Sequence, residues 1–194
     1  MTIDKDDLLN SIMESLDRIR SIKLEDIPAI DMYMDQVTTF MERRLKQTTR
    51  NQDEDKVLTK TMINNYTKNQ LLPPPEKKKY SKDHVLMLIF IYYYKGILSI
   101  NDIQTLLTPL KDEYFHAEEG LSLSAVYQEV FALEKEQIAA LKEDVQKKFA
   151  ISQETFSGAE DEEQAFLRMF AFISMLSFDV YSKRLLIEKI IDLM

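Results

Sequence analysis

The chain has 194 residues, and its 25 basic and 33 acidic side chains give a net charge of −8. It has no cysteine, which excludes disulfides and thiolate metal sites and is typical of the cytoplasm. This excess of acidic residues argues against a protein that coats nucleic acid without sequence preference. Only three glycines and five prolines are present, too few for a hairpin-rich all-β fold. We therefore expect an all-α fold with at most a short β-hairpin wing.

Five helices are expected in the first 110 residues. Apolar residues recurring at helical spacing predict them over residues 4–22, 31–46, 56–69, 81–95 and 100–107. The fourth is apolar almost all round, which predicts a central buried helix, and Ser81 is a suitable N-cap for it. The fifth is expected to stop before Pro109.

Two long helices are expected in the last third of the chain. One covers residues 122–149 and the other residues 161–193, with a polar connector over residues 152–160. Apolar residues of the last helix cover more than one face. This pattern indicates either burial by the rest of the chain or contact with a second copy.

The most informative segment extends from Leu58 to Tyr80. It joins a helix with one polar face to three prolines and then three lysines. Residues 56–82 hold seven lysines and one glutamate, a net charge of +6, so the other residues sum to −14. A positive patch on an acidic body gives a focused field that favours a polyanionic partner.

Double-stranded DNA is the partner that fits this segment. Lysines that displace counterions add affinity that does not depend on base sequence. The amide of Asn64 suits a bidentate contact to adenine, and Tyr80 suits stacking on a sugar or a hydrogen bond to a phosphate. The candidate DNA-binding residues are Lys60, Thr61, Asn64, Asn65, Thr67, Lys68, Lys77, Lys78, Lys79 and Tyr80.

Three short patterns occur in a recognisable order. First, Tyr66 precedes a Leu-Leu pair. Second, residues 79–85 contain a lysine and a tyrosine followed by a helix with a serine cap. Third, residues 98–107 follow a turn that contains a glycine. This layout resembles the MerR-type winged helix-turn-helix, although Asn64 stands where that family usually has arginine and Gln70 where it has glycine. Residues 27–110 are also similar to domain-of-unknown-function family 1836, a resemblance that brings no activity.

The resemblance implies three parts. A winged helix-turn-helix domain would cover residues 27–110, preceded by an N-terminal helix over residues 1–26. A C-terminal helical region over residues 121–194 would provide packing and dimerisation. The expected function is that of a sequence-specific transcriptional regulator that binds DNA as a homodimer. The alternative is a winged-helix protein–protein interaction module without DNA binding, which the net charge and the missing arginine favour.

Catalysis, metal binding and a cofactor are not expected. Glu113 and His116 have the Glu-x-x-His spacing of a dimetal site, but the second such motif is missing from the sequence. The longest apolar run, residues 85–94, is half of what a membrane span needs, so no membrane partner is expected. Nothing in the sequence identifies a small-molecule effector.

Overall fold

The computed structural model describes residues 5–19, 21–117 and 119–194. The fold is mostly α-helical with one two-stranded sheet among the described residues, which confirms the predicted fold class. The described residues divide into two compact units. The smaller is formed by Met1–Ile19 and Leu133–Lys189, and the larger by Arg20–Ala132 and Ile190–Met194.

The secondary structure follows the chain in a simple order. The described α-helices are α1 (Lys5–Asp17), α2 (Met34–Leu45), α3 (Lys60–Lys68), α4 (Lys82–Tyr94), α5 (Ile100–Tyr114), α6 (Leu123–Ala132), α7 (Glu134–Gln153) and α8 (Asp161–Ile191). The strands are β1 (Met32–Tyr33) and β2 (Lys79–Tyr80). Two short 3-10 helices cover Leu24–Asp26 and Lys46–Thr48.

Helix α4 is the centre of the larger unit, as predicted. Every residue from His84 to Ile91 is buried, because its apolar side chains leave no polar face to turn toward water. Ser81 caps the helix, and its backbone N–H donates to His84 Nδ1 at 3.0 Å. This reciprocal capping box satisfies N–H groups that the helix itself leaves unpaired.

Several predicted helix boundaries are wrong: α1, for example, ends at Asp17 rather than residue 22. Three of the differences have a clear local cause. Helix α3 begins at Lys60 rather than residue 56, because Thr59 caps it and accepts a hydrogen bond from Met62 N at 3.1 Å. Helix α5 continues past Pro109, which is exposed, so that water can reach the carbonyl left without its N–H partner. The helix expected over residues 122–149 is divided into α6 and α7 at Leu133, where the chain passes between the two units.

The smaller unit packs α1, α7 and α8 together. Its core contains Val145, Phe149 and Phe172, with partly buried apolar residues of α1 and α8 around them. Lys148 on α7 pairs with Asp179 on α8 at 2.6 Å. Within the described residues, the segment Glu163–Ile191 is long and apolar enough to cross a membrane, judged by length and composition alone.

Candidate nucleic-acid interface

A short antiparallel ladder fixes the base of the predicted wing, residues 71–80. Met32 pairs with Tyr80, and Tyr33 pairs with Lys79. Strand β1 continues directly into α2, and β2 continues through Ser81 into the buried helix α4. Since both strands lead into helices of the same unit, residues 71–80 are attached to the core at their C-terminal end.

The segment predicted as a wing contains a tight turn, residues 76–79, which we call the lysine turn. Lys79 N donates to Glu76 O at 2.8 Å, and Glu76 and Lys79 form an antiparallel bridge. Lys77 and Lys78 have φ angles of 49° and 67°. Two central residues with positive φ define a type I′ turn, which normally uses asparagine and glycine. The turn therefore holds two exposed lysine side chains at its tip, in a conformation that is unfavourable for lysine.

Replacing Lys78 by glycine is therefore expected to stabilise the protein. Glycine adopts positive φ without steric cost, so the free energy of unfolding should rise by about 0.5–1 kcal/mol, as measured by urea denaturation. The matched control is Lys147→Gly in the interior of α7, which should lower it by a similar amount. A loss of stability in Lys78→Gly would contradict the type I′ geometry.

Helix α3 turns a polar face outward. Ile63 and Tyr66 are buried against the core, and the opposite side presents exposed side chains. These are Lys60, Thr61, Asn64, Asn65 and Lys68. Thr67 is only half-buried, but its hydroxyl donates to Ile63 O at 3.2 Å, so that donor is already used within the helix.

The N-terminal end of α2 connects α3 to the ladder. Asp35, in the first turn of α2, forms an ion pair with Lys60 at the start of α3. Two residues earlier, Tyr33 pairs with Lys79, whose ammonium lies 5.4 Å from the centre of the tyrosine ring. Lys60 and Lys79 therefore flank the same corner of the unit. Nothing in the sequence indicates these roles of Tyr33 and Asp35, because both partners are distant along the chain.

Tyr80 corrects the predicted set of DNA-binding residues. It is only 3% exposed, and burial raises the pKa of its hydroxyl. Its ring meets the His84 ring edge-on, with 5.4 Å between the ring centres. Tyr80 therefore belongs to the core and does not lie on the exposed surface with the lysines. The exposed lysine, threonine and asparagine residues of α3 and the lysine turn form what we call the basic surface, namely Lys60, Thr61, Asn64, Asn65, Lys68, Lys77 and Lys78. Glu76, the first residue of the turn, is also exposed and lies beside this surface.

His84 contacts the 71–80 segment from inside the core. Its Nδ1 accepts from Ser81 N, and its Nε2 lies 3.4 Å from Pro74 O. Both contacts are satisfied when the neutral ring carries its proton on Nε2. Burial is the main cause that lowers the pKa of His84, because a charged imidazolium would lose its hydration.

Acid is therefore expected to destabilise the protein through His84. Its pKa is below the ordinary 6.5, so the stabilisation is complete above about pH 6.5 and is lost as the pH falls through the folded-state pKa. We expect the melting temperature to fall as the pH drops below about 6.5, with a shallower fall in His84→Gln. Glutamine suits the same capping position and does not titrate in this range. An unchanged slope in His84→Gln would contradict this role.

A groove of about 690 Å³ lies along α2. Arg44 lies 5.9 Å from the centre of the Phe40 ring and pairs with Asp26 at 3.3 Å. Asp35, the ion-pair partner of Lys60, also lines the groove. The groove offers both apolar and charged contacts to a partner.

The family comparison matches the part of the chain that contains these features. The family model for a domain of unknown function, DUF1836, matches residues 22–130. The chain belongs to the DUF1836 family. The match confirms the predicted similarity over residues 27–110 and extends it at both ends, back to residue 22 before the first 3-10 helix and forward into α6. Comparison with curated proteins and with solved structures gives no match. In this DUF1836 protein, the whole basic surface lies inside the matched residues, and α7 and α8 lie outside them.

Proposed function

We propose that this DUF1836 protein is a non-enzymatic transcriptional regulator of the MerR-like winged-helix type that binds specific DNA sequences. One observation carries the proposal: α3 and the lysine turn both present exposed basic or amide side chains from one compact unit. The ladder attaches the lysine turn to the start of α2, and the Asp35–Lys60 ion pair shows that the start of α3 lies beside the same point.

The lysine turn would supply the phosphate contacts. Lys77 and Lys78 are exposed and form no ion pair among the residues that the structure describes. Their ammonium groups can therefore displace counterions from a duplex without first breaking an internal pair. The tight turn limits the freedom of the backbone behind them, which reduces the entropy lost on binding.

Helix α3 would read the bases. The major groove admits an α-helix, and an asparagine amide contacts adenine through two hydrogen bonds. Asn64 lies on the exposed face with Lys60 and Lys68, one turn to either side. The Lys60–Asp35 pair is well exposed, with side chains 61% and 74% accessible. Such a pair is weak, so Lys60 can exchange its carboxylate partner for a phosphate.

A second candidate function is a protein–protein interaction module. The groove along α2 favours it, because Phe40 and Arg44 offer apolar and charged contacts. The net charge of −8 also favours a protein partner over DNA. Binding of such a partner through this groove would be insensitive to changes in the lysine turn.

Selection of bound duplexes from a random DNA pool separates the two functions. A regulator is expected to enrich a defined motif at about 0.1 M salt, with bound DNA released as salt rises. The variant Lys77→Asn/Lys78→Gly, which keeps turn-compatible residues, is expected to retain less DNA. Lack of enrichment by the wild-type protein at low salt would reject the regulator and leave the interaction module.

A further inference from the structure

Helix α8 carries an uncovered apolar line beside its packed face, about 120° around the helix from Phe172. Phe172 of α8 is buried in the core of the smaller unit. The exposed apolar side chains of the line are Phe166, Phe170, Ile173 and Val180, which are 68%, 58%, 53% and 65% exposed. Apolar patches of this kind mark interaction sites.

The spacing of this line is that of a coiled-coil seam. The positions 166, 170, 173, 177, 180 and 184 alternate steps of four and three residues, which is the heptad pattern. Ser177 and Arg184 complete the series and are also exposed. The Ser177 hydroxyl donates to Ile173 O at 2.9 Å, so it can enter a helix–helix contact without an unsatisfied group.

Insertion of α8 into a membrane is the competing explanation for its exposed apolar side chains. The contacts between α8 and α7 argue against it. Helix α7 packs beside α8 through Val145 and Phe149 and has eight charged residues in its sequence. Lys148 of α7 also holds Asp179 of α8 in an ion pair. Insertion of α8 into a bilayer would carry these charges into hydrocarbon, which is strongly unfavourable.

The charges along α8 favour antiparallel pairing with an identical helix. The first turn of α8 is acidic, with Asp161 and Glu163. Its last turns have a net positive charge, because they contain three basic residues and one acidic residue, namely Lys183, Arg184, Lys189 and Glu188. Antiparallel pairing places the acidic end of one copy beside the basic end of the other, and parallel pairing places like charges together. In the antiparallel register that aligns seam positions, Phe166 faces Arg184 of a second copy and Phe170 faces Val180.

The available area is enough for a concentration-dependent dimer. The four apolar seam residues, with Tyr181 at their flank, expose on the order of 500 Å² on each copy. Two copies would thus bury about 1,000 Å², the lower limit for a specific interface. We propose that a second copy of this chain docks antiparallel on the Phe166–Phe170–Ile173–Val180 seam of α8. This proposal does not depend on DNA binding.

Light scattering during size-exclusion chromatography of the full chain tests the seam. At about 100 µM the wild-type protein is expected at twice its 22.8 kDa mass. Phe170→Asp is expected at the monomer mass with an unchanged helical circular-dichroism spectrum, because Phe170 is exposed in the isolated chain. Phe178→Asp is the matched control: Phe178 is 73% exposed but lies about 110° around the helix from the seam, so this variant should remain dimeric.

Disulfide formation tests the direction, since the chain has no cysteine of its own. Mixed Phe166→Cys and Arg184→Cys proteins are expected to form a heterodimeric disulfide, and neither should link to itself. Self-linking of either protein would show parallel pairing and overturn the proposed register. Three results would reject the seam as a dimer interface. The wild-type protein could be a monomer, or both aspartate variants could dissociate equally. The third result is a monomer that floats with phosphatidylcholine vesicles.

Discussion

Replacing Lys77 by asparagine and Lys78 by glycine is expected to weaken duplex binding roughly 10- to 100-fold at low salt while the protein becomes more stable. Both lysines occupy left-handed positions of a type I′ turn, for which Asn-Gly is a favoured sequence. The double variant therefore removes two charges and improves the local backbone. Opposite changes in affinity and stability cannot come from partial unfolding.

The salt dependence of binding gives a sharper form of this prediction. Two lost phosphate contacts should reduce the slope of log affinity against log salt by about 1.8, measured by fluorescence anisotropy of a labelled duplex. The double variant Lys135→Ala/Lys147→Ala removes two exposed lysines of α7 and is the charge-matched control. An equal loss of affinity in both double variants would mean that total charge, rather than the lysine turn, governs binding.

Replacing Asn64 by alanine is expected to reduce base discrimination rather than general affinity. Loss of one bidentate amide contact is worth about 1–3 kcal/mol of discrimination at one base pair, equivalent to roughly 5- to 150-fold. Asn64 is exposed and lies opposite the buried face of α3, so the fold should be unaffected. The measurement is the affinity for the selected duplex relative to a duplex substituted at each position in turn.

Two controls distinguish a base contact of Asn64 from a general effect on binding. Asn101→Ala, an exposed change in the first turn of α5, should leave the preference unchanged at every position. The salt slope of Asn64→Ala should also remain that of the wild-type protein, because no charge is removed. A uniform loss across all duplexes would show that Asn64 acts on the backbone or on folding.

The sequence predicts those elements whose signals are local. Helix α4 follows from a continuous apolar run, and its start follows from Ser81, whose capping role needs only three further residues. The long helix α8 follows in the same way from its unbroken periodicity. The outward position of Asn64 follows from the buried positions of Ile63 and Tyr66 at helical spacing.

Features that depend on distant contacts could not be predicted. The pairing of β1 with β2 joins residues almost fifty positions apart, and two-residue strands have no usable alternation. The same ladder buries Tyr80, which the sequence pattern placed on the DNA-binding surface. The Asp35–Lys60 pair is likewise invisible in the sequence, although it partly neutralises the basic surface.

Lysine footprinting on the selected duplex tests the central claim most directly. Surface lysines of the full chain are acylated with and without DNA, and the modified positions are identified by mass spectrometry. If the basic surface binds DNA, Lys60, Lys68, Lys77 and Lys78 should lose reactivity when the duplex is present, and Lys135 and Lys147 should not. Unchanged reactivity at Lys77 and Lys78 under conditions where the duplex is bound would contradict the proposed interface.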